Sequence, residues 1–407
     1  MKVLVYGINF SPELTGIGKY TGEMVEWMTD HGVDVHVITA PPYYPEWKIS
    51  KGYSSIRYKL ENTRYPIYRC PLYVPREKST VKRILHLLSF SFTSFFSLLK
   101  QTSWKPDYII CIAPTMFCFP GSYFLKKITS SKLMLHIQDY EVDAMLGLGM
   151  TKHKQLGLMA SAFERWCLRK ADIVSTISNS MVDKAVSKGV SKDRILYFPN
   201  WSEVERFRNV TEGAIDKIAS ILGVSRTKKI VLYSGNIGEK QGLEIILEVA
   251  KMMQSNVNII FLIVGDGLGK HELEKRCYSL GITNILFRPL QPYEYLPALL
   301  KLADCHLVIQ RRGAADSVLP SKLTNILAVG GNSVITADPD TELGKLCSLY
   351  PGIAINVEPE SASALASGIT ESLTLNRENE VASRYAETNL NKNSILGKLI
   401  DSLNSNI

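Results

Sequence analysis

A histidine near the end of an apolar run, His136 in Leu135-His136-Ile137-Gln138-Asp139-Tyr140-Glu141, is followed at once by two carboxylates. At the carboxyl end of a strand, His136 can exchange hydrogen bonds with a substrate hydroxyl or steady a developing charge. Asp139 can orient that ring or touch an acceptor; its plainer role is to cap a helix. Four other places join glycines or a helix start to polar side chains. Gly16-Ile17-Gly18 allows close backbone approach to a ligand, with Lys19 adding a charge. Gly235–Gly242 sets Asn236, Lys240 and Gln241 at a helix start, where peptide N–H groups and an ammonium make a diphosphate seat. Val264-Gly265-Asp266-Gly267 leaves room for a nucleotide beside the backbone. Pro320-Ser321 before Lys322 reads as a helix start, so phosphate would meet the amides and Lys322 while ribose hydroxyls meet Asn325. Each place also has a bland reading as a tight turn, a solvated lysine or an ordinary capped helix. Neither the Walker spacing nor GxGxxG is present, which speaks against an ATP or dinucleotide loop.

These residues need strands to aim them, and the chain supplies a repeated theme of strand, glycine turn and helix in each half. The first copy runs from Met1–Ile8 through Gly16–Gly18 to a helix predicted at Tyr20–Asp30. The second runs from Ile230–Ser234 through Gly235–Gly242 to a helix at Leu243–Met253. Further apolar runs predict strands at Asp34–Ala40, Tyr108–Ile112, Leu133–Ile137, Ile173–Ile177 and Ile195–Phe198. In the second half they fall at Ile259–Val264, Asn284–Phe287, Cys305–Ile309 and Ser333–Thr336. Alternation of such runs with helical patterns predicts an α/β protein of two Rossmann-like, doubly wound parallel sheets facing a cleft. Ligands in these sheets bind beyond the carboxyl ends of the strands, where the glycines, His136 and Asp139 fall.

With 407 residues, two domains are expected, 1–200 and 201–379, with a helical segment at 380–407 crossing back onto the first. The linker is placed at Pro199–Phe207, where a proline breaks the pattern. A net charge of +8 suits anionic ligands or acidic lipid, and no basic run interleaved with aromatics points to nucleic acid. Seven scattered cysteines without a CxxC pair imply reduced thiols in a cytosolic compartment rather than disulfides or zinc. The apolar N-terminus turns polar by Asn9, so it reads as a first strand rather than a signal peptide. Asp338-Pro339-Asp340 matches a metal-binding DxD by its letters only and lies beyond the last predicted strand. No metal or cofactor is therefore expected.

Ile84–Leu99 stands apart: it is uncharged and flanked by Lys82, Arg83 and Lys100. It is shorter than the roughly 20 residues of a membrane-spanning helix. Three readings stay open: a buried helix between strands, a helix lying on a bilayer surface with lysines at the headgroups, and a span.

In combination, FSPELTGIGKY, HIQDY, STISNSMVDKAVSKG, FPNW, YSGNIGEKQGLE, VGDG and LPSKLTNILAVGG resemble, in that order and over nearly the whole chain, the GT-B glycosyltransferases of family 4. Within that family the chain is similar to the fucosyltransferases of colanic acid biosynthesis. The resemblance implies retaining transfer of fucose from GDP-fucose to a sugar on an undecaprenyl pyrophosphate carrier, at the cytoplasmic face of the membrane. The acceptor would lie on the N-terminal domain and the nucleotide on the C-terminal one. His136 matches the family's active-site histidine; Lys240 or Gln241, Lys322 and Asn325 match diphosphate and ribose positions. Many members carry arginine and lysine where Asn236 and Gln241 stand, and two glutamates where Ser317 and Asn325 stand. Other readings are a UDP-sugar donor, a sugar-nucleotide epimerase of the same fold, and a non-catalytic scaffold at the membrane surface.

Overall fold

A computed structural model describes residues 1–13, 16–75, 80–140, 154–238, 241–267, 269–312 and 319–405, with the backbone alone at 80 and 154–156. The chain forms two compact units, Met1–Pro199 with Leu396–Ile407, and Asn200–Ile395. The return to the first unit thus begins at Leu396, later than 380, because the helix Glu380–Asn389 packs on the second unit through Ala382, Tyr385 and Ala386. The final helix, Lys392–Asn404, belongs to the first unit from Leu396 onward, where Tyr108 donates its hydroxyl to Leu403 O.

In the first unit the strands are β1 (Lys2–Tyr6), β2 (Asp34–Thr39), β3 (Lys59–Asn62), β4 (Pro66–Arg69), β5 (Tyr108–Ala113), β6 (Lys132–Ile137), β7 (Ile173–Thr176) and β8 (Ile195–Tyr197). They form one sheet in the order β3-β4-β2-β1-β5-β6-β7-β8, parallel except for β3, which runs antiparallel to β4 at the edge. All six residues of β5 are buried, as an apolar run covered on both faces must be. Helices α1 (Gly16–Asp30), α2 (Thr80–Trp104) and α3 (Phe119–Thr129) are among the connections. α1 starts four residues earlier than predicted, since Gly16 and Gly18 belong to its first turn rather than to a loop.

The second unit holds β9 (Lys229–Ser234), β10 (Ile259–Val264), β11 (Ile285–Arg288), β12 (Cys305–Val308), β13 (Ser333–Thr336) and β14 (Ile355–Val357). All are parallel, in the order β11-β10-β9-β12-β13-β14. The period of two is visible along β9. Ile230 and Leu232 enter one core, while Val231 and Tyr233 enter the other. Both sheets are doubly wound, and the order reverses between β1 and β5 in the first and between β9 and β12 in the second. Those reversals open crevices at the strands' carboxyl ends, the usual ligand position in such sheets.

All seven cysteines are free, and six are buried. Among the described residues no helix is long and apolar enough to cross a membrane, so the spanning reading of 84–99 falls away. The helix there is longer than the apolar run itself, and it is buried along one side only.

Candidate active site

In the first unit, β6 carries His136 to the carboxyl edge in register with Ile112 of β5 and Ser175 of β7. The ring is buried, with Nδ1 2.8 Å from Ser175 Oγ and its centroid 5.0 Å from that of Phe198. Burial pushes its pKa down to about 3, so the imidazole is neutral. A neutral ring exchanges hydrogen bonds with a sugar hydroxyl but brings no full charge. Of the two roles open in the sequence, this environment suits the first. Asp139 lies two residues past the strand and is exposed.

The Gly16–Gly18 turn has an internal explanation. Gly16 adopts a φ of +59°. A Cβ on Gly18 would stand 2.5 Å from Glu13 Oε2. Buried Glu13 accepts the Tyr43 and Tyr44 backbone N–H groups on Oε1, at 3.1 Å each, and Asn9 Nδ2 on Oε2 at 2.9 Å. Desolvation raises its pKa, opposed by those donors. Buried Arg69 ties the same loops, donating to Ser11 O (2.6 Å) and Ala40 O (3.1 Å) while pairing with Glu61. Beside them, at the carboxyl ends of β2 and β4, a groove of about 1090 Å³ is lined by Trp47, Ile56, Tyr58, Tyr73 and Thr93 among others.

In the second unit, the candidate residues gather around Lys322. Its helix, Ser321–Ala328, follows Pro320 with no side chain capping its first turn, and Ser321 is exposed there. Lys322 Nζ donates to Tyr233 Oη at 3.2 Å and stands 4.5 Å from the ring centroid. Tyr233, inward-facing on β9, donates its hydroxyl to Asn236 O at 2.6 Å. One tyrosine thus fixes both the lysine and the turn after β9. Asn236 is exposed on that turn; Gln241 Oε1 is buried and accepts no hydrogen bond from a described residue. Lys240 and Ser317 lie outside the described residues. Asn325, one turn beyond Ser321, accepts a hydrogen bond from Ser202 at 3.1 Å. Arg311, three residues past β12, packs on Gly242 and pairs with Glu244, adding a cation that the sequence reading passed over. Asp338 of the DxD-like triplet pairs with Arg312.

Gly265 and Gly267 are required by the protein itself. Added Cβ atoms would lie 2.0 Å from Gly235 O and 2.3 Å from Ile237 O, and Gly267 has a φ of +150°. The turns after β9 and β10 therefore interlock backbone to backbone, joined by Ile237 N–H to Asp266 O at 2.8 Å. Backbone cannot yield as a side-chain tip can. Gly265→Ala should cost about 3 kcal/mol or more, read as a drop in the thermal midpoint. An unchanged midpoint would mean that the turns do not interlock.

Acid stability follows from the buried rings. His136 is held to about 3 and His306 to about 4, both by burial, from an ordinary 6.5. Below 6.5 the unfolded chain binds protons that the fold refuses, so stability is lost as pH falls from 6.5 toward these values. The thermal midpoint should drop steadily over that window, and NMR of labelled histidines should show both rings still neutral near pH 5. Protonation of either ring at that pH in the folded protein contradicts this.

Two doubly wound parallel sheets, each with a crevice at the carboxyl ends of its strands, one beside a buried neutral histidine and the other beside a lysine at a helix start, are the architecture of the GT-B glycosyltransferases. Residues 15–201 match the Glycosyl transferase 4-like domain and residues 214–389 match Glycosyl transferases group 1. The chain belongs to this glycosyltransferase family. It is 56% identical over 406 residues, 99% of this chain and 100% of the relative, to the Escherichia coli (strain K12) protein named "Putative colanic acid biosynthesis glycosyl transferase WcaI". In fold it is similar to a sucrose-phosphate synthase of Thermosynechococcus elongatus (TM-score 0.72, 16% identity, full coverage of both chains). It is also similar to Anabaena HepE in complex with UDP and glucose (TM-score 0.66, 15% identity, full coverage of both). Membership in a transferase family displaces the epimerase and scaffold readings.

Proposed function

We propose that this glycosyltransferase acts in colanic acid biosynthesis, moving fucose with retention from GDP-fucose to a saccharide on undecaprenyl pyrophosphate. The observation that carries the donor side is Lys322, held by Tyr233 at an uncapped helix start beside the β9 turn. The named role of the 56% identical relative supports the pathway, and the sequence resemblance supports fucose. The reaction breaks the bond between the fucose anomeric carbon and the β-phosphate oxygen of GDP. The acceptor oxygen bonds to that carbon from the same face, and its proton passes to the departing phosphate. Charge on that phosphate is met by Lys322, by the amides at the start of Ser321–Ala328 and by Lys240, with no metal required. His136 holds a donor-sugar hydroxyl, and Asp139 assists the acceptor. The groove lined by Trp47 and Tyr73 takes the acceptor at the inner face of the cytoplasmic membrane.

The test is calorimetric titration of the whole protein with GDP and with UDP, EDTA present, followed by a transfer assay with GDP-fucose. GDP binding at least about ten-fold tighter than UDP is expected, a difference of about 1.4 kcal/mol. A UDP preference would replace fucose by a UDP-sugar. If GDP binds only when EDTA is left out and a divalent cation is added, the metal-free mechanism is wrong.

A further inference from the structure

α2 is apolar on two opposite sides. Leu87, Phe90 and Leu98 face the core, while Val81, Leu85, Leu88, Phe92, Phe96 and Leu99 form an outward stripe within about 80° of arc. Phe92 is 71% exposed and Val81 67%. Phe95 continues the surface sideways onto α3, with its ring 5.9 Å from that of Phe124, and Phe124 and Ile128 are exposed there too. A contiguous apolar surface of this kind on a water-facing helix marks an interaction site.

Charge decides what covers it. The two helices carry five cations and not one aspartate or glutamate; Lys126 is paired with Asp172 at 2.6 Å, and Lys82, Arg83, Lys100 and Lys127 are the cations flanking the stripe. A second copy packed along the stripe would bring cations against cations with no carboxylate on either helix to pair them. An anionic phospholipid surface accepts both features, with the apolar side chains entering the acyl boundary and the cations meeting headgroup phosphates. The groove lined by Tyr58, Tyr73 and Thr93 adjoins the same helix, since Tyr58 donates its hydroxyl to Thr93 O at 2.9 Å.

We infer that the outward face of α2, extended by α3, lies in the interface of an anionic bilayer without crossing it. This deepens the reading of a lipid-carried acceptor by bringing the acceptor groove to the surface where such a carrier resides.

The experiment is co-sedimentation of the full chain with phosphatidylglycerol-containing vesicles and with neutral phosphatidylcholine vesicles, neither holding any acceptor. The wild type should bind the anionic vesicles, and binding should weaken with salt. Phe92→Glu combined with Phe96→Glu should weaken binding at least about ten-fold. Both side chains face water, so the thermal midpoint and GDP affinity of this variant should match the wild type. No binding, equal binding to neutral vesicles, or equal binding by the variant would each overturn the inference. A wild-type dimer in sedimentation equilibrium that the variant turns into a monomer would overturn it too, assigning the stripe to a second copy. GDP affinity is read separately, so failure here is distinguishable from failure of the proposed reaction.

Discussion

His136→Ala is expected to lower turnover on the order of 100-fold, with GDP affinity almost unchanged. The ring sits in the first unit, whereas the proposed nucleotide seat lies at β9 and the helix Ser321–Ala328 of the second. Its loss should therefore appear in kcat rather than in nucleotide binding. The alanine also opens a cavity against Phe198 and strands Ser175 Oγ, so the variant needs a thermal unfolding control. Ser175→Ala removes only the anchor of the ring. It should give an intermediate loss, with the ring less firmly oriented but present. Wild-type turnover in a folded His136→Ala variant would remove the histidine from the reaction.

Lys322→Ala should act on the other side, weakening GDP binding by about 10- to 100-fold, the worth of a charge-assisted hydrogen bond to phosphate. The loss should shrink as salt rises. Tyr233→Phe keeps the cation over the ring and removes the hydroxyl that holds the ammonium and the β9 turn together. Its effect should be smaller and should leave the salt dependence in place. Calorimetry reads both variants. If Lys322→Ala binds GDP as tightly as the wild type, the diphosphate rests elsewhere, and Arg311 becomes the next cation to remove.

The central strands were legible because a strand buried on both faces has to be a continuous apolar run, as Tyr108–Ala113 and Ile259–Val264 are. β3 was not, since Lys-Leu-Glu-Asn on an exposed antiparallel edge has no apolar signature. β4 and β14 are short strands of four and three residues that carry little periodicity. His136 and Lys322 could be named from their positions at a strand end and a helix start. Their partners could not. Ser175 meets His136 through strand register 39 residues away, and Tyr233 meets Lys322 across 89. Glu13 stood within a motif quoted for its glycines, yet its buried carboxylate is what leaves Gly18 no room for a side chain. Arg69 was one cation among 47 lysines and arginines until the fold buried it.

The first unit is discontinuous in sequence, and its last piece, Leu396 onward, arrives only after the whole of Asn200–Ile395. During synthesis the eight-stranded sheet emerges first, yet Tyr108 lacks its acceptor, Leu403 O, until roughly two hundred further residues have left the ribosome. At ordinary elongation speeds that interval is about 10–40 s. The second unit, unbroken in sequence, has all its strands in hand before that. The order of completion is thus the reverse of the order of emergence, and the side that receives the final helix stays uncovered until synthesis is nearly finished.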